Sequence, residues 1–246
     1  MSQATYRSPR VARQSRAFPK TRPVEGLTWL GHLTWLIVFG AAGFALSGIF
    51  SGLLDLERSL FVLVYLAVAS PLIAGYLWTA GIDVRAPIAR HWKWGLLGAL
   101  LAGAFVVANV LGQEASSRPE SLALVGNLLW LGVVYGLLDA MFLSILPIAM
   151  IWLAAKDLGF TRGRYDRIVV AMLALSGSLF VTVLYHWGFA EYQGTEISGP
   201  VIGNGVLSLA YLVSANPLAS ALGHVAMHVA SVLHGIDTTI QLPPHY

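Results

Sequence analysis

Four ionisable side chains stand where the sequence is otherwise apolar. Asp139 lies in Tyr135-Gly-Leu-Leu-Asp-Ala-Met-Phe-Leu-Ser-Ile-Leu-Pro147, midway along the longest apolar run. His186 lies in Leu184-Tyr-His-Trp-Gly188, and His224 and His228 share Leu222-Gly-His-Val-Ala-Met-His-Val-Ala230. A carboxylate surrounded by aliphatic residues is costly unless it is paired, protonated or hydrated, so such an acid points to a metal ligand, a base or a proton carrier. A spacing of four puts His224 and His228 on one helix face, about 6 Å apart in rise, where they can bind one metal or flank one ligand. The bland alternatives are a protonated Asp139 hydrogen-bonded to a neighbouring helix and two histidines satisfied inside a bundle. His234 points roughly 120° away from His228 at about 100° per residue. His32, His91 and His245 read as interface or loop residues.

What positions these groups follows from composition. The chain has 246 residues, 57% hydrophobic and only 11% charged, with a mean hydropathy of +0.69. A soluble domain carries roughly 25% charged residues, so a soluble single domain, a disordered chain and a nucleic-acid binder are excluded. The class is an all-α, polytopic integral membrane bundle, with the lipid bilayer as its first partner. At about 20 residues per crossing, hydropathy and length predict seven helices, within a range of six to eight: 27–54, 59–81, 94–112, 122–155, 168–190, 201–215 and 218–234. The fourth run would reach about 51 Å at 1.5 Å per residue against a hydrocarbon core of about 30 Å. It must tilt, kink at Pro147 or Gly136, or overshoot the bilayer. Residues 1–26 form a basic tail, 27–234 the membrane domain and 235–246 a short polar C-terminal tail. The tail lacks an apolar core with a cleavage site and does not read as a signal peptide.

With the N-terminus in the cytoplasm, segments 1–26, 82–93 and 156–167 hold 13 of the 15 Lys and Arg residues. That is a positive-inside pattern, and it accounts for the pI of 9.3 without any nucleic acid. The expected location is a plasma (bacterial inner) membrane, N-terminus inside. The chain has no Cys, which excludes disulfides and thiolate chemistry. It shows no phosphate-binding loop, dinucleotide fingerprint or nucleophile elbow. Measured from the inner ends, His224 lies about 9 Å deep, His228 about 15 Å and His186 about 27 Å. Asp139 falls near the midplane once its long helix is centred. His228 and Asp139 can therefore meet, whereas His186 joins them only if helix ends shift by a turn or helices tilt.

The order of these features resembles the CPBP family, the CAAX-protease and bacteriocin-processing group of intramembrane enzymes. Its motifs are Glu-Glu-x-x-x-Arg on one helix, Phe-x-x-x-His on a later one and His-x-x-x-Asn/Asp on the last. Leu138-Asp-Ala-Met-Phe-Leu143 looks like the first, His186 the second with Thr182 at the aromatic position, and His224-Val-Ala-Met-His228 the third with His at the amide position. The likeness spans residues 120–235. Asp139 falls on the second acid, with Leu138 and Leu143 at the first acid and the Arg; the alternative register leaves Ala140 and Ser144 at the second acid and the Arg. The resemblance implies an intramembrane hydrolase, protease-like, or its inactive descendant. Its catalytic candidates are Asp139, His186, His224 and His228, which are also the candidate ligands of a divalent metal such as zinc.

Two other functions compete. One is a haem- or metal-binding membrane subunit using His186 with His224 or His228 as axial ligands. The other is a non-catalytic accessory subunit of a membrane complex. The corresponding partners are a peptide substrate or another membrane protein. Transport is poorly supplied, because one buried acid and no buried Lys or Arg offer little for a coupled ion pathway.

Overall fold

The computed structural model describes residues 26–117, 120–237 and 240–243; the basic tail up to residue 25, Arg118 and His245 lie outside the described residues. The architecture is all-α. Six helices are long and apolar enough to cross a membrane, and a seventh, shorter apolar helix completes the bundle. We name them α1 (Trp29–Leu53), α2 (Arg58–Thr79), the short α3 (Arg85–Ala89), α4 (Trp92–Leu111), α5 (Ser121–Asp157), α6 (Arg164–Trp187), α7 (Ser198–Ser214) and α8 (Leu218–His234). Hydropathy places the last helix at these same bounds and the others within four residues, because lipid-length apolar runs end where charge or Gly/Pro begins.

Contacts between loops show that successive spans run antiparallel. At one end, which carries the Lys and Arg of 85–93 and 156–167, the Trp29 N–H donates to Asp157 Oδ2 at 2.8 Å. At this basic end Asn216 also ties the α7–α8 turn to α3. Its Nδ2 donates to the carbonyls of Pro87, Ile88 and Arg90, and its Oδ1 accepts from the N–H of Leu218. At the opposite end Arg58 donates to the carbonyls of Ile236 and Pro243. There Tyr192 donates to Ile240 O at 2.9 Å, and His234 Nε2 bonds to Gln113 O. Burial raises the Tyr192 phenol well above its ordinary pKa, so it keeps the proton that it donates. His32, in the first turn of α1 at the basic end as an interface residue should be, is buried, with Nδ1 3.0 Å from Tyr76 Oη.

Helix α5 is the central post. Two-thirds (67%) of its most apolar window is buried, against 22–39% for the other spans. Exposed Leu, Ile, Val and Phe side chains cover the outward faces of the other helices, as lipid contact requires. The excess length of α5 is taken up partly by two π-helical stretches, Leu128–Val134 and Ala140–Ile145, whose wider turns rise less per residue. The second ends just before Pro147, one of the two kink sites expected. Proline has no N–H to give the carbonyl four residues back, and that carbonyl, Leu143 O, instead accepts from Ser178 Oγ of α6 at 2.7 Å. In lipid such a backbone group has no water to fall back on.

Ser178→Ala therefore leaves the Leu143 carbonyl without that donor. The expected loss is about 1–3 kcal/mol, read by thermal unfolding in detergent. Ser176→Ala, which removes only a bond to its own helix at Met172, should stay within about 0.5 kcal/mol.

Candidate functional site

The site is assembled from three helix faces with the same periodicity. On α5, Tyr135, Asp139 and Leu143 recur every four residues; on α6, Ser178, Thr182 and His186 do the same; on α8, Ser220, His224 and His228. Side chains at this spacing stack on one face, and each face turns inward.

Asp139, with regular helical dihedrals, is the last residue before the second π-helical stretch. It is buried, and both carboxylate oxygens have partners. Oδ1 accepts from Tyr65 Oη of α2 at 3.3 Å, and Oδ2 lies 3.4 Å from His228 Nε2. Close helix approach makes the second contact possible. A Cβ on Gly136 would come within 3.0 Å of Val225 Cα and 3.2 Å of Val225 N and His228 Cδ2, so a larger residue would push α8 away by a few tenths of an ångström. The Tyr135 ring meets the His228 imidazole edge-on, 4.7 Å between centroids, and its hydroxyl lies 3.1 Å from Tyr185 Oη. Tyr65 stacks on Tyr185 at 5.4 Å.

The other two histidines are held differently. His186 Nδ1 lies 2.8 Å from Thr182 O, and His224 Nδ1 3.0 Å from Ser220 O. A carbonyl only accepts, so each Nδ1 carries the hydrogen and Nε2 is the acceptor of the neutral ring. His228 has no such bond. Its Nδ1 is buried without a hydrogen-bond partner among the described residues.

Asp139, His186, His224 and His228 all line one cavity of about 160 Å³. The structure thus brings together the four residues singled out by type and spacing, and His186 reaches the cavity despite the greater depth expected for it. Exposed Phe105 of α4 and Ile202 of α7 also line it, as do Tyr192 and Gln241. The cavity accordingly reaches the surface between α4 and α7, in the half of the bundle away from the basic end.

Sequence reasoning missed a set of neutral polar residues beneath this cavity. Asn204 of α7 lines it and donates through Nδ2 to Thr182 Oγ1 at 2.6 Å and Ser178 Oγ at 3.0 Å, while Oδ1 accepts from Ser144. Ser208 Oγ lies 2.8 Å from Ser178 Oγ and 3.0 Å from Ser144 Oγ. All five are buried. The i, i+4 pairing of Asn204 with Ser208, matching Ser178 with Thr182, was the available signal.

A metal ion of the kind the family resemblance implies needs at least three converging donors. Among the described residues no three His, Asp or Glu side chains are grouped in that way, and His228 Nε2 is directed at the carboxylate itself. The arrangement does not fit such an ion, and no step below passes through one. Compared with known proteins, the chain matches no family model, no curated protein and no solved structure.

Proposed function

We propose that the chain is an intramembrane hydrolase, of the kind the CPBP resemblance suggests, whose working unit is Asp139 with His228. The observation that carries this reading is the buried Asp139–His228 pair on a cavity that reaches the surface, with one imidazole nitrogen left unpartnered. A net charge at membrane depth costs several kcal/mol, so the pair is held as a neutral unit: carboxylate with imidazolium, or carboxylic acid with imidazole. In both forms His228 Nδ1 carries a hydrogen. Among the described residues this buried donor has no acceptor, and a substrate carbonyl oxygen is the group that supplies one.

In the reaction so read, Asp139 takes a proton from water as the water oxygen bonds to the carbonyl carbon. The Nδ1–H of His228, on the far side of the ring from the carboxylate, holds a neighbouring carbonyl of the peptide. The proton then passes to the leaving nitrogen as the C–N bond breaks, so that water is added across an amide. His224 presents its acceptor Nε2 atom to orient that water. Tyr65 holds the second carboxylate oxygen and keeps Asp139 aimed at His228. The substrate class is a peptide segment within or entering from the bilayer.

The purified full chain should cut members of a complex peptide mixture, read by mass spectrometry of the products. Asp139→Asn should lower the rate by at least about 10²-fold, the usual contribution of a general base. Gly203 lines the cavity and a Cβ there meets nothing within 4 Å. Gly203→Leu should therefore fill the cavity, keep the melting temperature and stop cleavage. No cleavage by the unaltered protein, or full activity in Asp139→Asn, contradicts the assignment.

We further propose that the basic end faces the cytoplasm of a plasma membrane, on the support of the Lys and Arg bias. With no native Cys, Phe160→Cys in the exposed α5–α6 turn reports the side directly. A membrane-impermeant maleimide should label it only after permeabilisation, and labelling of intact cells reverses the orientation.

A further inference from the structure

A second concave site lies at the basic end, away from Asp139. Arg162, Arg164 and Arg167, from the α5–α6 turn and the first turn of α6, line a groove between α5, α6 and α7. Its apolar wall includes Trp152 of α5, Ile168 of α6 and Leu212 of α7. All three arginines are exposed. Arg167 Nε donates to Thr161 O at 3.0 Å, and none of the three is ion-paired among the described residues. The carboxylates nearest in sequence are already engaged, since Asp157 accepts from the Trp29 N–H and Asp166 from the Gly163 N–H.

Trp152 stands five residues from the end of α5 and Leu212 two from the end of α7, so the groove spans the boundary between apolar core and headgroup layer. Three guanidinium groups above an apolar wall match an amphiphile whose phosphate sits at the interface and whose chain runs into the bilayer. We propose that this groove binds an anionic phospholipid, with the phosphate among Arg162, Arg164 and Arg167 and an acyl chain along Trp152, Ile168 and Leu212. A lipid there would brace α5 against α6 and α7, the three helices that carry the Ser144–Asn204–Ser178 bonds.

The test is native mass spectrometry of the full chain in detergent, titrated with phosphatidylglycerol, with phosphatidylcholine and inorganic phosphate as separate probes. One phosphatidylglycerol should bind in preference to phosphatidylcholine. Arg162→Gln with Arg164→Gln should weaken it about tenfold or more for two charges removed. Arg85→Gln with Arg90→Gln, an equal loss of charge elsewhere on the basic end, should leave it unchanged. Leu212→Trp, which keeps every charge and fills the apolar wall, should also weaken binding, and this variant decides the matter if the arginine pair fails to fold. Equal weakening by both arginine pairs, no preference over phosphatidylcholine, or displacement of the lipid by inorganic phosphate at matching affinity overturns the proposal.

Discussion

A carboxylate inside a bilayer must find its partners within the protein, and the bundle is organised around that demand at Asp139. The bilayer core around the bundle supplies no bulk water to solvate an acid at this depth. The side chain is answered by one donor from α2, the Tyr65 hydroxyl, and one ring nitrogen from α8, His228 Nε2. Three helices separated widely in sequence are thereby tied at one point. Both contacts are long, 3.3 and 3.4 Å, against roughly 2.7–2.9 Å for tight charge-assisted bonds. Under the proposed hydrolase reading these are the bonds that tighten when a substrate binds.

The same demand, applied to neutral groups, shapes the layer below. Proline at 147 releases the Leu143 carbonyl, Ser178 takes it up, and Asn204 joins Ser178, Thr182 and Ser144 across α5, α6 and α7. Thr182 in turn offers its carbonyl to His186. The polar layer fixes the helices that wall the cavity and sets the tautomer of one of its histidines. Close backbone approach does the corresponding work on the other side, where Gly136 lets α8 bring His228 to the carboxylate.

The helices are legible in the amino-acid sequence because a membrane span is long, apolar and bounded by charge, a signal that survives without tertiary context. Asp139, His224 and His228 are legible for the converse reason, since an ionisable group in an apolar run is rare enough to stand out. Helical rise alone sets His186 too far along its helix to join the others, yet it lines the same cavity. Ser178, Asn204 and Ser208 escape notice since small polar residues are common in membrane helices, and only their mutual spacing marks them. The π-helical turns of α5 leave no mark beyond Pro147. Tyr65 cannot be assigned by spacing at all, for its partner lies 74 residues away.

The account stands on Asp139 and His228 acting as one unit. A double-mutant cycle on unfolding free energy, with Asp139→Asn, His228→Gln and the pair combined in the full chain, measures that coupling directly. A buried pair in contact should show an interaction energy of about 1–3 kcal/mol, whereas independent sites add within about 0.5 kcal/mol. The first result is the one predicted. Additivity would mean that the carboxylate and the imidazole are neighbours without being partners, and would contradict the central claim.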